Sequence, residues 1–268
     1  PVSVLATLKD ISHFVNSGRE AREKPSRQRE NLMIPWESAR SMVLGSFFWR
    51  SSMNIQYYGD FCFKITTKPG GRATDDVVVV IDPCEKDSGL RAPQGQADVT
   101  LKTHMSAKDR DITDEALLLD CPGEYDVRGI SVMGFPSFRD EESGAVRGKN
   151  TIFVLQSEDM TLCHLGALGH ELASSVVEKI GHVDILFVPA GNKDTLAVKR
   201  VDELVRKIEP AIVVPMHYRF PGFETESEDE QAFCKEIGNC PETAVSKLTV
   251  KKKDLDGKSM EVVLFERA

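Results

Sequence analysis

Apolar residues alternate with polar ones in short runs over much of the chain. The runs predict strands at Asn54 to Tyr58, Phe61 to Thr67, Val77 to Ile81, Val99 to Lys102, Leu117 to Leu119, Ile130 to Phe135, Thr151 to Leu155 and Thr161 to Cys163. Turn residues such as Pro69-Gly70-Gly71 and Ser143-Gly144 punctuate them, as in sheet layers joined by hairpins. Beyond Gly169 the period lengthens. Helices are predicted at Glu171 to Ile180 and Leu196 to Ile208, each followed by a strand, at Asp184 to Val188 and Ala211 to Pro215. The second helix places Leu196, Val201, Leu204, Val205 and Ile208 near one face, with Lys199, Arg200, Glu203 and Lys207 opposite, as a helix lying on a sheet should. A helix at Glu228 to Ile237 and a closing hairpin of Lys247 to Val250 with Met260 to Phe265 complete the reading.

The first 52 residues break this rhythm. They carry eight Lys/Arg and five Asp/Glu, a net +3, which leaves −11 on the remainder. Residues 21–30 are almost wholly polar, the composition of a segment unable to bury enough apolar surface to offset its chain entropy. Residues 1–52 are therefore expected to be an extension, disordered or foreign to the domain, and residues 53–268 to be the folded unit.

The whole chain has 268 residues and a net charge of −8, without the basic footprint of a nucleic-acid binder. No run approaches the roughly 20 apolar residues of a membrane-spanning helix. The six cysteines are scattered and form no C-x-x-C pair, so reduced thiols and a cytoplasmic protein are expected. Gly144 to Asn150 looks like a phosphate-binding loop but is one residue short and ends in Asn.

The chemistry is concentrated at strand ends. Val77 to Ile81 runs into Asp82-Pro83, and Ala97 to Thr103 runs into His104. Later come Leu162-Cys-His-Leu-Gly-Ala-Leu-Gly169, Asp184 to Pro189, and Pro215-Met-His217-Tyr218. Together with Tyr58-Gly-Asp-Phe-Cys-Phe63 and Cys121-Pro-Gly-Glu-Tyr-Asp-Val-Arg-Gly129, these motifs resemble, from Met53 to the end, the metallo-β-lactamase superfamily in its L-ascorbate-6-phosphate-lactonase-like branch. The resemblance implies an α/β fold, a four-layer αββα sandwich, and two zinc ions that polarise a substrate and supply hydroxide.

The ligand positions implied by that resemblance are largely substituted here. Where H-x-H-x-D-H is expected, the chain has His104, Ser106, Lys108 and Asp109; where further ligands are expected it has Arg139 and Ala167, with His217 retained. An ammonium at Lys108 would repel a dication, and Arg139 cannot give up its proton to ligate. His104 and His217, vestigial ligands with Asp109 as a conceivable third, fall short of a dinuclear set. Asp82 is expected to support the site from a strand end.

Two readings follow. In the first the protein is a non-catalytic or repurposed binding member without resident metal, whose Lys108 and Arg139 form an anion pocket for a small anionic ligand, or which docks a protein partner. In the second it is a mononuclear zinc or manganese hydrolase acting on a phosphorylated or lactone small molecule. His164, His170, His182 and Glu124 are read as structural.

Overall fold

A computed structural model describes residues 52–70, 75–84, 88–105, 116–190, 194–221, 223, 228–238 and 240–268. All of these belong to one compact unit, Trp49–Ala268. The expectation for residues 1–52 falls, apart from Ser52, outside the described residues, as do Ser106, Lys108 and Asp109.

Among the described residues, thirteen strands build two mixed sheets. In chain order they are β1 (Met53–Gly59), β2 (Cys62–Thr67), β3 (Val77–Ile81), β4 (Val99–Leu101), β5 (Leu117–Leu119), β6 (Gly123–Val127), β7 (Ile130–Phe138), β8 (Lys149–Ser157), β9 (Met160–His164), β10 (Ile185–Pro189), β11 (Ile212–Met216), β12 (Leu248–Val250) and β13 (Glu261–Val262). One sheet has the order β12-β1-β2-β3-β4-β5 and the other β13-β11-β10-β9-β8-β7-β6. The helices of the described residues are α1 (Ser174–Ile180), α2 (Val198–Ile208) and α3 (Glu230–Ile237).

The alternation in β1 buries every second residue, from Met53 to Gly59, which gives the first sheet one inward face. Inward residues of both sheets merge in a single core: the Phe63 ring of β2 meets Phe187 of β10 edge to face at 4.6 Å. This is the sandwich expected from the sequence. Strand β10, buried along its whole length, is covered by α2 through Val201, Leu204, Val205 and Ile208. Leu196, expected on that face, lies just before the helix, buried, its N–H on the Leu168 carbonyl.

The last two strands do not pair with each other. Strand β12 joins β1 in the first sheet, whereas β13 runs parallel to β11 in the second. The expected closing hairpin is therefore corrected: the 3-10 turn Lys252–Leu255 separates the two segments and sends them to opposite layers. Strand β7 also runs past Phe135, through Pro136. Its pairing with β6 ends at Gly134, so the proline falls where the strand has one neighbour only and its missing N–H is tolerated.

The expectation of wholly reduced thiols is likewise corrected. Cys234 near the end of α3 bonds Cys240 beyond it, because the chain reverses at Gly238 (φ +73°) and brings their Cα atoms to 5.5 Å. Cys62, Cys84, Cys121 and Cys163 are not disulfide-bonded. No helix of the described residues is long and apolar enough to cross a membrane.

Candidate functional site

The parallel pairings β3–β4 and β9–β10–β11 put the C-terminal ends of several strands on one edge of the sandwich. Asp82, His104, His164 and His217 stand at or just past these ends. Arg139 follows β7, which runs in the same direction as β9 because two antiparallel steps separate them.

Asp82 is buried with φ +42°. Its Oδ1 accepts the Thr103 N–H at 2.8 Å and its Oδ2 accepts the Thr103 hydroxyl at 2.6 Å. Thr103 Oγ1 lies 2.9 Å from His104 Nδ1, so Asp82 orients His104 through one intermediary. Burial lifts the Asp82 carboxyl to about 7, despite the opposing charge of Lys102 and the Thr103 bonds. For His104, burial and then the positive charge of Arg139 hold the imidazole well below its ordinary value, so it is neutral.

His217 is held differently. Its backbone N–H donates to the Asp60 carbonyl at 2.8 Å, and its Nδ1 lies 2.5 Å from Asp60 Oδ1. Nε2 lies 3.4 Å from Asp194 Oδ2. Burial disfavours its charge, but the hydrogen bonds and charges of Asp194 and Asp60 override that and lift the imidazole to about 9. The ring is thus a cation between two carboxylates. Phe61 stacks on it at 4.3 Å and meets His104 edge-on at 5.3 Å.

The glycine turn after β9 is tied by Asn150. The Asn150 amide donates to Ser137 Oγ (2.8 Å) and to the Leu165 carbonyl (2.9 Å), and its Oδ1 accepts the Ala167 N–H at 2.9 Å. Ala167 is fully buried in this turn. Gly166 has φ +60°, and a Cβ there would lie 2.5 Å from Asn150 Oδ1. At Gly169 a Cβ would fall 2.1 Å from the Arg139 carbonyl oxygen, so the turn and the end of β7 touch backbone to backbone.

Arg139 Nε is buried without a hydrogen-bond partner, as are Asp194 Oδ1 and Thr195 Oγ1. Such groups ask for a water or a ligand. His164 is a core residue: its Nδ1 accepts the Gly166 N–H at 3.2 Å, its Nε2 bonds the Phe61 carbonyl at 3.2 Å, and burial pushes it down to about 3. His170 bonds the Glu171 carbonyl and His182 bonds Asp184. Glu124 is exposed on edge strand β6.

Among the described residues no three His, Cys, Asp or Glu side chains converge. His217 has both ring nitrogens against carboxylates, Arg139 brings a fixed cation, and an aromatic ring packs on both imidazoles. Sequence reasoning missed Asp60, Phe61 and Asp194 as site residues; Asp60 and Phe61 were inside a quoted motif, but nothing local marks a partner 157 residues away.

Beside His104 opens a cavity of about 600 Å³, lined by Met105, Pro122, Pro136, Phe138, Arg147 and Lys149 among others. The loop that carries Arg147 is wound on Asp140, whose carboxylate accepts the N–H groups of Glu142, Gly144, Val146 and Arg147 at 2.6–3.2 Å.

Residues 54–217 match the Beta-lactamase superfamily domain. The chain is 25% identical over 122 residues to a UPF0173 metal-dependent hydrolase of Methanopyrus kandleri (43% of this chain, 53% of the relative). It is 31% identical over 123 residues to one of Staphylothermus marinus (46% and 51%). The chain thus spans about half the length of these curated relatives. Among solved structures, a protein of Thermotoga maritima assigned to the zinc-dependent hydrolases of the metallo-beta-lactamase superfamily superposes with a TM-score of 0.64 at 27% identity, over 80% of this chain and 98% of that one. Igni18, a metallo hydrolase of Ignicoccus hospitalis, shares the fold at 13% identity and a TM-score of 0.52, over 81% and 96%.

Proposed function

The chain belongs to the beta-lactamase superfamily, and from that premise we propose that it is a metallo-β-lactamase-fold member, of the lactonase-like type, that works without a dinuclear zinc centre as a small-anion binding protein. The observation that carries this reading is His217 clamped between Asp60 and Asp194, with Phe61 packed on both it and His104. Coordination through His217 Nε2 would require giving up its contact to Asp194, since Asp60 already holds Nδ1.

Arg139 supports the anionic half of the proposal. A guanidinium beside a neutral His104 attracts a carboxylate or phosphate and repels a metal cation. Its buried, unpartnered Nε is a donor awaiting an acceptor. The names of the relatives favour a second reading, in which His104, His217 and Asp109 hold one ion for hydrolysis of a phosphorylated or lactone substrate.

Metal content separates the two. Protein purified without chelator and then offered excess Zn²⁺ or Mn²⁺ is expected to hold far less than one ion per chain by inductively coupled plasma mass spectrometry. One tightly held ion, lost in His217→Ala, would establish the mononuclear reading instead.

A further inference from the structure

We propose that Cys62 and Cys84 form a redox-modified pair, which a small diffusible peroxide closes to a disulfide that fastens the segment after β3 onto the back of the site. The inference stands apart from the question of resident metal.

Strand register brings the two sulfurs together. In the antiparallel pair β2–β3, Phe63 lies opposite Ile81, which sets Cys62 beside Asp82 and within reach of Cys84. Both cysteines are fully buried. The Cys62 sulfur shares a hydrogen bond with the Cys84 thiol and accepts the Cys84 N–H. Sulfurs already in contact can be joined at about 2 Å without re-pairing the strands.

The pair lies outside the main core. Phe61 and Phe63 turn inward, while Cys62 between them turns outward, into a separate cluster with Val80, Cys84, Leu90 and Phe223. That cluster backs onto the site from three sides: Cys62 follows Asp60 and Phe61, Cys84 follows Asp82, and Phe223 lies a few residues past His217. Leu90 packs on Gly59, where a Cβ would fall 2.9 Å from Leu90 Cδ2, and Lys64 Nζ donates to the Gln94 carbonyl at 2.8 Å. A covalent link between Cys62 and Cys84 therefore pins residues 88–98 to the hairpin whose Asp60 holds His217.

The Cys84 thiol rests on the Tyr58 and Arg91 carbonyls at 3.7 and 3.6 Å. Tyr58 and Arg91 also line a surface cavity of about 490 Å³, an approach for a small oxidant from solvent. Burial, and then the neighbouring Cys84 thiol, lift the Cys62 thiol well above its ordinary value, so the reaction is slow and bulky reagents are kept out. In the step itself one sulfur, as thiolate, attacks a peroxide oxygen; the O–O bond breaks, water leaves and a sulfenic acid remains. The second sulfur displaces its hydroxyl as water, forming the S–S bond. Two thiols give up two electrons and two protons, and one hydrogen peroxide becomes two waters.

Cys163 is the internal control. It is as buried as Cys62 but sits in the main core, where burial pushes its thiol up without a contribution from another sulfur.

The test treats the folded full chain with N-ethylmaleimide to block the exposed Cys121, then with hydrogen peroxide, and maps disulfides by non-reducing peptide mass spectrometry. A Cys62–Cys84 cross-link is expected, with Cys163 unlinked. Amide hydrogen exchange across residues 88–98 is expected to slow at least about tenfold on oxidation and to recover with a phosphine reductant. Cys84→Ser is expected to remove the link and leave exchange there indifferent to peroxide; the mapping of the unsubstituted chain decides the matter if that variant folds poorly. The proposal would be overturned by Cys62 and Cys84 recovered without a cross-link, by a link formed only after urea has opened the chain, or by a link that leaves exchange in residues 88–98 unchanged.

Discussion

Asp60 receives His217 twice, its carbonyl accepting the backbone N–H at 2.8 Å and its carboxylate meeting Nδ1 at 2.5 Å across 157 residues of sequence. Both residues sit at positive φ, +56° and +58°. The Tyr57 hydroxyl donates to the same Asp60 carbonyl at 3.0 Å. The first hairpin and the end of β11 are thereby joined by charge.

That pairing makes stability depend on pH. The folded imidazole, raised to about 9, lies above its unfolded value of about 6.5. The contribution is therefore complete below about 6.5 and is lost as pH rises through about 9. Asp60→Asn is expected to cost about 3 kcal/mol at pH 6 and much less at pH 10, read from urea midpoints of metal-free protein. A cost that stays the same at both pH values would mean that the imidazole is not the titrating cation.

The glycine turn should tolerate no side chain. Gly169→Ala would drive a methyl into the Arg139 carbonyl, a backbone atom that cannot rotate away. Gly166→Ala adds positive-φ strain to contacts of 2.5 Å with Asn150 and 2.6 Å with Thr103. Losses of about 3 and about 2 kcal/mol respectively are expected in denaturant unfolding. Wild-type stability in Gly169→Ala would show that the turn and β7 are not in contact.

Asp140 should act as a local organiser. Its carboxyl is held below the ordinary carboxylate range, chiefly by the Arg147 N–H, with those of Gly144, Glu142 and Val146 adding to it. Asp140→Ala is expected to remove hydrogen-exchange protection from those amides while leaving β8 and β9 unchanged. Because the folded value is depressed, the wild-type loop should keep its protection until pH falls through that value. Loss of protection throughout the second sheet would give Asp140 a global role instead.

How far the sequence could be read depended on the range of the interactions. The alternation in Met53–Gly59 and the all-apolar Val77–Ile81 each name a strand, because burial on a sheet imposes its period directly on the residues. The end of the chain was misread because Leu248–Val250 and Glu261–Val262 look equally like partners whether they pair with each other or with β1 and β11. At the site, the substitutions at Arg139 and Ala167 were visible as letters. The clamp on His217 was not: Asp60, Phe61 and Asp194 acquire meaning only when the fold sets them around it. Phe61 in particular has the pattern of an ordinary core aromatic.

The clamp on His217 also bears on whether a metal centre can be built here. The substitutions Ser106→His, Lys108→Asp, Asp109→His, Arg139→His and Ala167→Asp supply donors of the type the resemblance calls for, yet they leave Asp194 3.4 Å from His217 Nε2, the nitrogen a metal would need, with Asp60 on Nδ1. A zinc ion would have to compete there with a proton held up to about 9. The five-residue variant is therefore expected to bind zinc weakly, and the same variant with Asp194→Asn to bind at least about tenfold more tightly, a difference of about 1.4 kcal/mol. Competition with a chromophoric chelator at pH 7.5 measures both. Equal, tight binding by the two variants would show that the Asp194 contact does not hinder coordination by His217.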